Sequence, residues 1–140
     1  MTRRLEDVAV GEELPSLARV VTREDVKAYA DASGDQNRLH QDDGAARAAG
    51  FSGVIAHGMF TMGHLTSCLV DWLDDATALQ RLRVQFRAPV YLGETIVAGG
   101  AVRSLDPDTR RAVLDVWVTL ERDGVTEYPI RRGEAEVQLA

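Results

Sequence analysis

The spacing of hydrophobic positions changes once along the chain, near residue 79, and divides it into a helical first half and a stranded second half. An extended segment with the residues VGEELP and a short strand over 17–21 come first. Val26, Tyr29 and Ala30 then share one helical face behind Thr22, which with Glu24 and Asp25 has the pattern of an N-terminal cap; Gly34 marks the helix end. A short helix is predicted over 42–49, closed by Gly50, and a longer one over 57–73, HGMFTMGHLTSCLVDWL. Apolar residues fall on nearly every side of the longer helix, which predicts burial on most of its faces. From Leu79 the period is two. Leu82, Val84 and Phe86 alternate with Arg81, Arg83, Gln85 and Arg87, the pattern of a strand with one face inward. Leu114, Val116, Val118 and Leu120 repeat it, Asp123-Gly124 is a strong hairpin signal, and Ala135, Val137 and Leu139 alternate in the last strand, where Pro129 predicts an edge or a bulge near the start. Helices first and strands joined by turns afterwards predict one antiparallel α+β domain over 1–140, a curved sheet wrapped around one long helix.

Composition narrows the function classes. The chain has 140 residues, 45% apolar and 27% charged, which suits one globular core and excludes a disordered chain. A net charge of −6 argues against a nucleic-acid binder, because nonspecific affinity comes from neutralising phosphates. The N-terminus lacks an apolar signal region and no apolar run has membrane-span length, so the expected setting is the cytoplasm, with no membrane partner. Cys68 is the single cysteine and reads as a small buried residue. Arginines gather at 81, 83 and 87, at 103, 110 and 111, and at 131 and 132. They read first as solvated strand faces, with one cluster open to meeting a phosphorylated carrier.

The chemistry concentrates between Tyr29 and His40, YADASGDQNRLH. Asp35 and His40 are five residues apart and would diverge on a continuing helix, so they converge only if the chain turns. Ser33, Gly34, Asp35 and Asn37 are the residue types that make such a turn. A water touching both a carboxylate and an imidazole can be activated as a nucleophile and can serve proton transfer. Gly58, where the long helix begins, offers a free backbone N–H at the positive end of a helix dipole to a developing oxyanion.

SGDQNRLHQDD followed by IAHGMFTMG, with VGEELP and RVQFRAPVYLGE on either side, resembles the MaoC-like (R)-specific enoyl-thioester hydratases and dehydratases. The family pattern runs aspartate, any residue, asparagine, proline, an aliphatic residue, histidine. Here these positions hold Asp35, Gln36, Asn37, Arg38, Leu39 and His40, so Arg38 is the departure, expected to loosen the turn or to bring a charge to the pocket rim. The resemblance implies the hot-dog fold, reversible hydration of trans-2-enoyl thioesters to (R)-3-hydroxyacyl thioesters, Asp35 and His40 as catalytic pair, the Gly58 amide as oxyanion donor, and no metal or redox cofactor beyond coenzyme A or an acyl carrier as the substrate's handle. Which of the pair acts as base stays open. Asn37 is a candidate for fixing the turn or touching substrate. Thr66 matches a family position usually held by serine that orients the site, or is a helix hydroxyl bonded to the preceding turn. His57 is a candidate orienting residue at the helix start. His57, His64, His40, Asp42 and Asp43 lack the spacing of a recognised zinc motif. Met59, Phe60 and Met62 suit core or acyl-chain lining. The resemblance further implies a homodimer or higher oligomer. The alternatives are the catalytic half of a heterodimer with another hot-dog subunit acting on carrier-protein substrates, a hot-dog thioesterase, and a silent acyl-binding partner.

Overall fold

Thr22 turns extended chain into helix. Its hydroxyl accepts the Asp25 N–H at 3.1 Å while the Asp25 carboxylate accepts the Thr22 N–H at 3.2 Å, a reciprocal cap. In the computed structural model, which describes residues 1–140, this cap separates β1 (Leu17–Val20) from α1 (Arg23–Ser33). Gly34, at φ 78°, ends α1 in the left-handed conformation that glycine adopts without steric cost. Two helices follow, α2 (Asp43–Ala48) and α3 (Gly58–Leu73), then four long strands: β2 (Leu79–Phe86), β3 (Thr95–Asp106), β4 (Arg111–Arg122) and β5 (Val125–Gln138).

The five strands form one antiparallel sheet in the order β1-β3-β4-β5-β2. Its register follows the alternation in the sequence. Ala112, Leu114, Val116, Val118 and Leu120 of β4 are buried and the residues between them are only half covered. They join Ile96 and Val102 of β3 and Ile130 and Val137 of β5 in one core with Leu65, Leu69 and Leu73 of α3. Each of these leucines contributes about 1.5–3 kcal/mol by leaving water. The result is the hot-dog arrangement, α+β, with the sheet curved against one long helix.

Asp123 and Gly124 form the two-residue turn between β4 and β5, both at positive φ, as a type I′ hairpin requires. Pro129 lies inside β5, an interior strand, so it marks a bulge and not an edge. The β4–β5 register shifts between Val118 and Leu120, where Pro129 has no N–H to pair.

One expectation from periodicity is refined by the structure and another is corrected. α3 is buried or half-buried on most of its faces, as expected, with one exception: Met59, Gly63, Ser67 and Asp71 form an exposed stripe one helical turn apart, and Met59 is 55% exposed. Helical geometry puts residues four apart on one side, and here that side holds small or polar residues beyond Met59. Phe86, in phase with the inward Leu82 and Val84, is 49% exposed: it is the last residue of β2, beyond the register shift between Arg83 and Gln85, and its ring lies against the first residue of α3. No helix is long and apolar enough to cross a membrane.

Candidate active site

Three segments meet at the N-terminal end of α3. The first is the turn after α1. The Asp35 N–H donates to Ser33 Oγ at 3.1 Å, Asp35 Oδ1 accepts the Asn37 N–H at 3.2 Å, and Asn37 Oδ1 accepts the Leu39 N–H at 3.1 Å. These successive side-chain turns bend the chain into a short 3-10 helix, Arg38–His40. They bring His40 back toward Asp35 where a continuing helix would separate them.

The second segment is the loop FSGVIA, stitched to the first. Asp43 Oδ1 accepts the Val54 N–H at 3.0 Å, and the Ile55 N–H donates to Leu39 O at 3.2 Å. His40 Nδ1 lies 2.7 Å from Ile55 O. A carbonyl can only accept, so Nδ1 carries a proton, and in the neutral ring Nε2 presents its lone pair. Ile55 also bridges Tyr91 across the sheet side of the loop, and the Ala56 N–H donates to Val90 O. The His40 ring is therefore held through backbone atoms.

The third segment is the start of α3. His57 is 2% exposed, and its Nε2–H donates to Asp35 O at 3.0 Å. Its ring stacks on His40 with centroids 3.8 Å apart and planes 26° apart, and Tyr29 packs on it from α1 at 4.8 Å. Its other nitrogen, Nδ1, is buried without a partner. Phe60 and Thr61 donate to His57 O, and no side chain caps the helix, which leaves the Gly58 and Met59 N–H groups without an intrahelical acceptor.

Gly58 borders a cavity of about 220 Å³ walled by Phe51, Ile55, Thr61, Phe86 and Val90. A side chain at Gly58 would meet the Phe86 ring at 3.2 Å, so glycine permits the close approach seen there. Asp35 and His40 do not line this cavity, and Asp35 is exposed. The opposite wall, between β2 and β3, is braced by Arg122, which donates to both Glu94 oxygens at 2.9 and 2.7 Å and to Pro89 O at 2.9 Å.

Asp35, His40 and His57 each offer one ligand atom within 4.8 Å of the others. The two imidazoles stack nearly parallel, however, so their in-plane lone pairs run side by side and do not aim at one point. That geometry suits a shared water better than a single ion.

The family described as MaoC like domain matches residues 7–121. The chain belongs to the MaoC-like family. An (R)-specific enoyl-CoA hydratase of Rhodospirillum rubrum is 30% identical over 135 residues, 96% of this chain and 90% of that protein. A mitochondrial 3-hydroxyacyl acyl-carrier-protein dehydratase of Arabidopsis thaliana is 38% identical over 79 residues, 56% of this chain; the chain spans only 47% of that relative's length. A solved (R)-hydratase from A. caviae, described as involved in PHA biosynthesis, superposes with a TM-score of 0.86 at 26% identity, covering 96% of this chain and 99% of that one.

Within this MaoC-like chain the candidate residues sort by place. Asp35, His40, His57 and Gly58 come together, and Asn37 shapes the turn. Thr66 does not join them: it lies two turns along α3, and its hydroxyl donates to Met62 O at 2.9 Å. His64 is buried and bonds Leu17 O at 2.8 Å, away from the site. Arg38 reaches neither the cavity nor Asp35. Its guanidinium pairs with Asp42 at 2.5 Å, and the Asp42 carboxyl is held below its usual range first by the Gly44 N–H and then by Arg38.

The turn survives without proline because Asn37 is already extended, at ψ 130°, and the Arg38 N–H bonds nothing. Arg38→Pro should therefore keep the site and gain less than about 1 kcal/mol from a stiffer unfolded chain, seen as a small rise in the urea midpoint. A midpoint falling by several times that amount would mean that the guanidinium holds the turn.

Periodicity missed Thr61, Phe86 and Tyr29. Thr61 had one readable signal, a hydroxyl on the buried face of α3 one turn after Gly58.

Proposed function

We propose that this chain is a hydro-lyase that adds water reversibly across trans-2-enoyl thioesters to give (R)-3-hydroxyacyl thioesters. The observation that carries the reading is that the Asp35 carboxylate and the His40 ring lie within 4.8 Å of each other and of His57, whose neighbour Gly58 opens α3 with an unpaired N–H. A water donating to both acceptors turns its lone pair toward Cβ of a substrate whose carbonyl oxygen lies on the Gly58 N–H. Its oxygen bonds Cβ, one proton passes to the Asp35–His40 pair, and the enolate is held at Gly58. The pair then returns a proton to Cα, so one water is added and the thioester stays intact. Neither step routes through a metal.

A series of trans-2-enoyl-CoAs of increasing chain length, followed by loss of enoyl absorbance with chiral analysis of the product, tests this. The expected result is the (R)-alcohol, no release of free thiol, and a rate unchanged by a chelator. Release of thiol with no alcohol would make the chain a thioesterase. A rate lost on chelation and restored by a divalent ion would replace the shared water with a metal.

A further inference from the structure

The geometry points to Arg87 and Arg131 as the binding site for the phosphate of a pantetheine-type thioester carrier, an assignment that rests on the hydratase reading. If Asp35 and His40 face the enoyl carbons and Gly58 holds the carbonyl oxygen, the thiol arm leaves the carbonyl carbon on the other side, into the cavity beneath Gly58. Arg87, Ala88 and Pro89 form the far wall of that cavity and also the near wall of a second concavity of about 670 Å³, which Arg131 and Tyr128 complete.

The sheet register aims both guanidiniums there. Gln85 pairs with Arg131 and the Arg87 N–H donates to Pro129 O, so Gln85, Arg87, Pro129 and Arg131 share one face of the β2–β5 pair. Both cations are free of carboxylates. Arg87 bonds only Gln85 Oε1, at 2.7 Å, and Arg131 lies over the Tyr128 ring, 5.7 Å from its centroid. Neither forms a salt bridge, whereas Arg122 in the same concavity is committed to Glu94 and Arg103 to Asp115 and Glu134. Glu127 also lines the concavity, without an ion pair. In a chain of net charge −6, two adjacent unpaired guanidiniums at the outlet of the candidate active-site cavity are the chemistry that receives a phosphate.

The test compares enoyl thioesters of pantetheine, of 4′-phosphopantetheine and of coenzyme A on wild-type protein and on the double variant Arg87→Ala/Arg131→Ala, with Arg87→Lys/Arg131→Lys as the charge-keeping control. Both arginines are exposed, so the fold should survive. The double alanine variant should lose about tenfold or more in kcat/KM for the phosphorylated thioesters, mostly in KM, and change little for pantetheine; lysine should restore part of the loss. A loss already complete with 4′-phosphopantetheine assigns the phosphate common to coenzyme A and carrier proteins. A loss seen only with coenzyme A assigns its nucleotide phosphates. An equal change for all three thioesters would overturn the proposal. If wild-type protein turns over none of them, the hydratase reading fails. Equilibrium binding of 4′-phosphopantetheine against pantetheine to wild type and variant then decides the arginine assignment by itself.

Discussion

Asp35→Asn should lower kcat for enoyl-thioester hydration by about a thousandfold while leaving KM and thermal stability close to wild type. Asparagine keeps the size of the side chain and an oxygen that can accept the Asn37 N–H, so the turn that carries His40 persists. It lacks the charge that draws a proton from water. His40→Gln should cost a comparable factor, because Ile55 O can still receive a side-chain N–H while the second acceptor for the water is lost. The double variant should be no worse than the poorer single variant, since two groups that hold one water fail together. Single-turnover and steady-state rates on the three variants check this. Multiplying losses would show that Asp35 and His40 act on separate steps, and wild-type turnover in Asp35→Asn would remove that carboxylate from the chemistry.

The largest effect on stability is expected at Gly133→Ala. A Cβ there would stand 2.6 Å from Val116 O and 2.7 Å from Val116 Cγ2, and the oxygen belongs to the backbone of the neighbouring β4. Arg132, just before it, already sits at φ 52°, so the chain has little freedom to swing away. β5 is paired on both sides, and a shift in it strains β4 and β2 together. The expected loss is about 3 kcal/mol, a sizeable share of the 5–15 kcal/mol typical of a domain. It is read as a lower urea midpoint at unchanged slope. Gly63→Ala is the contrast: it has open space around its Cβ on the exposed side of α3 and should gain up to about 1 kcal/mol from helix propensity. A Gly133→Ala protein as stable as wild type would mean that β5 can bow outward.

The contrast between these two glycines shows what a sequence reveals and what it hides. The cap at Thr22, the alternation in β4 and the Asp123-Gly124 turn were legible because each depends on residues within a few positions of one another. Gly133 was silent, because the reason for it lies seventeen residues away on a neighbouring strand. The same division runs through the site. The turn that bends His40 toward Asp35 is written in Ser33, Asp35 and Asn37. The bond from His40 to Ile55 and the bond from His57 to Asp35 cross loops that only the packed fold brings together. His57 did leave a trace. A helix start with histidine where serine, threonine, aspartate or asparagine is the rule breaks a local preference, and such breaks concentrate where function overrides stability. Phe86 left none, since its phase is that of a core residue and only its place at the end of β2, beyond a register shift against β5, sets it apart.

The orphaned Nδ1 of His57 has an evolutionary consequence. A buried nitrogen with no partner costs the fold roughly 1–3 kcal/mol, which an apolar ring of similar shape would not. That apolar ring would also release Asp35 O, and with it the tether between the Asp35–His40 turn and the start of α3. A library screened for heat resistance alone would therefore drift away from histidine at this position and enrich well-folded proteins with a slackened site, whereas screening for turnover would hold it in place.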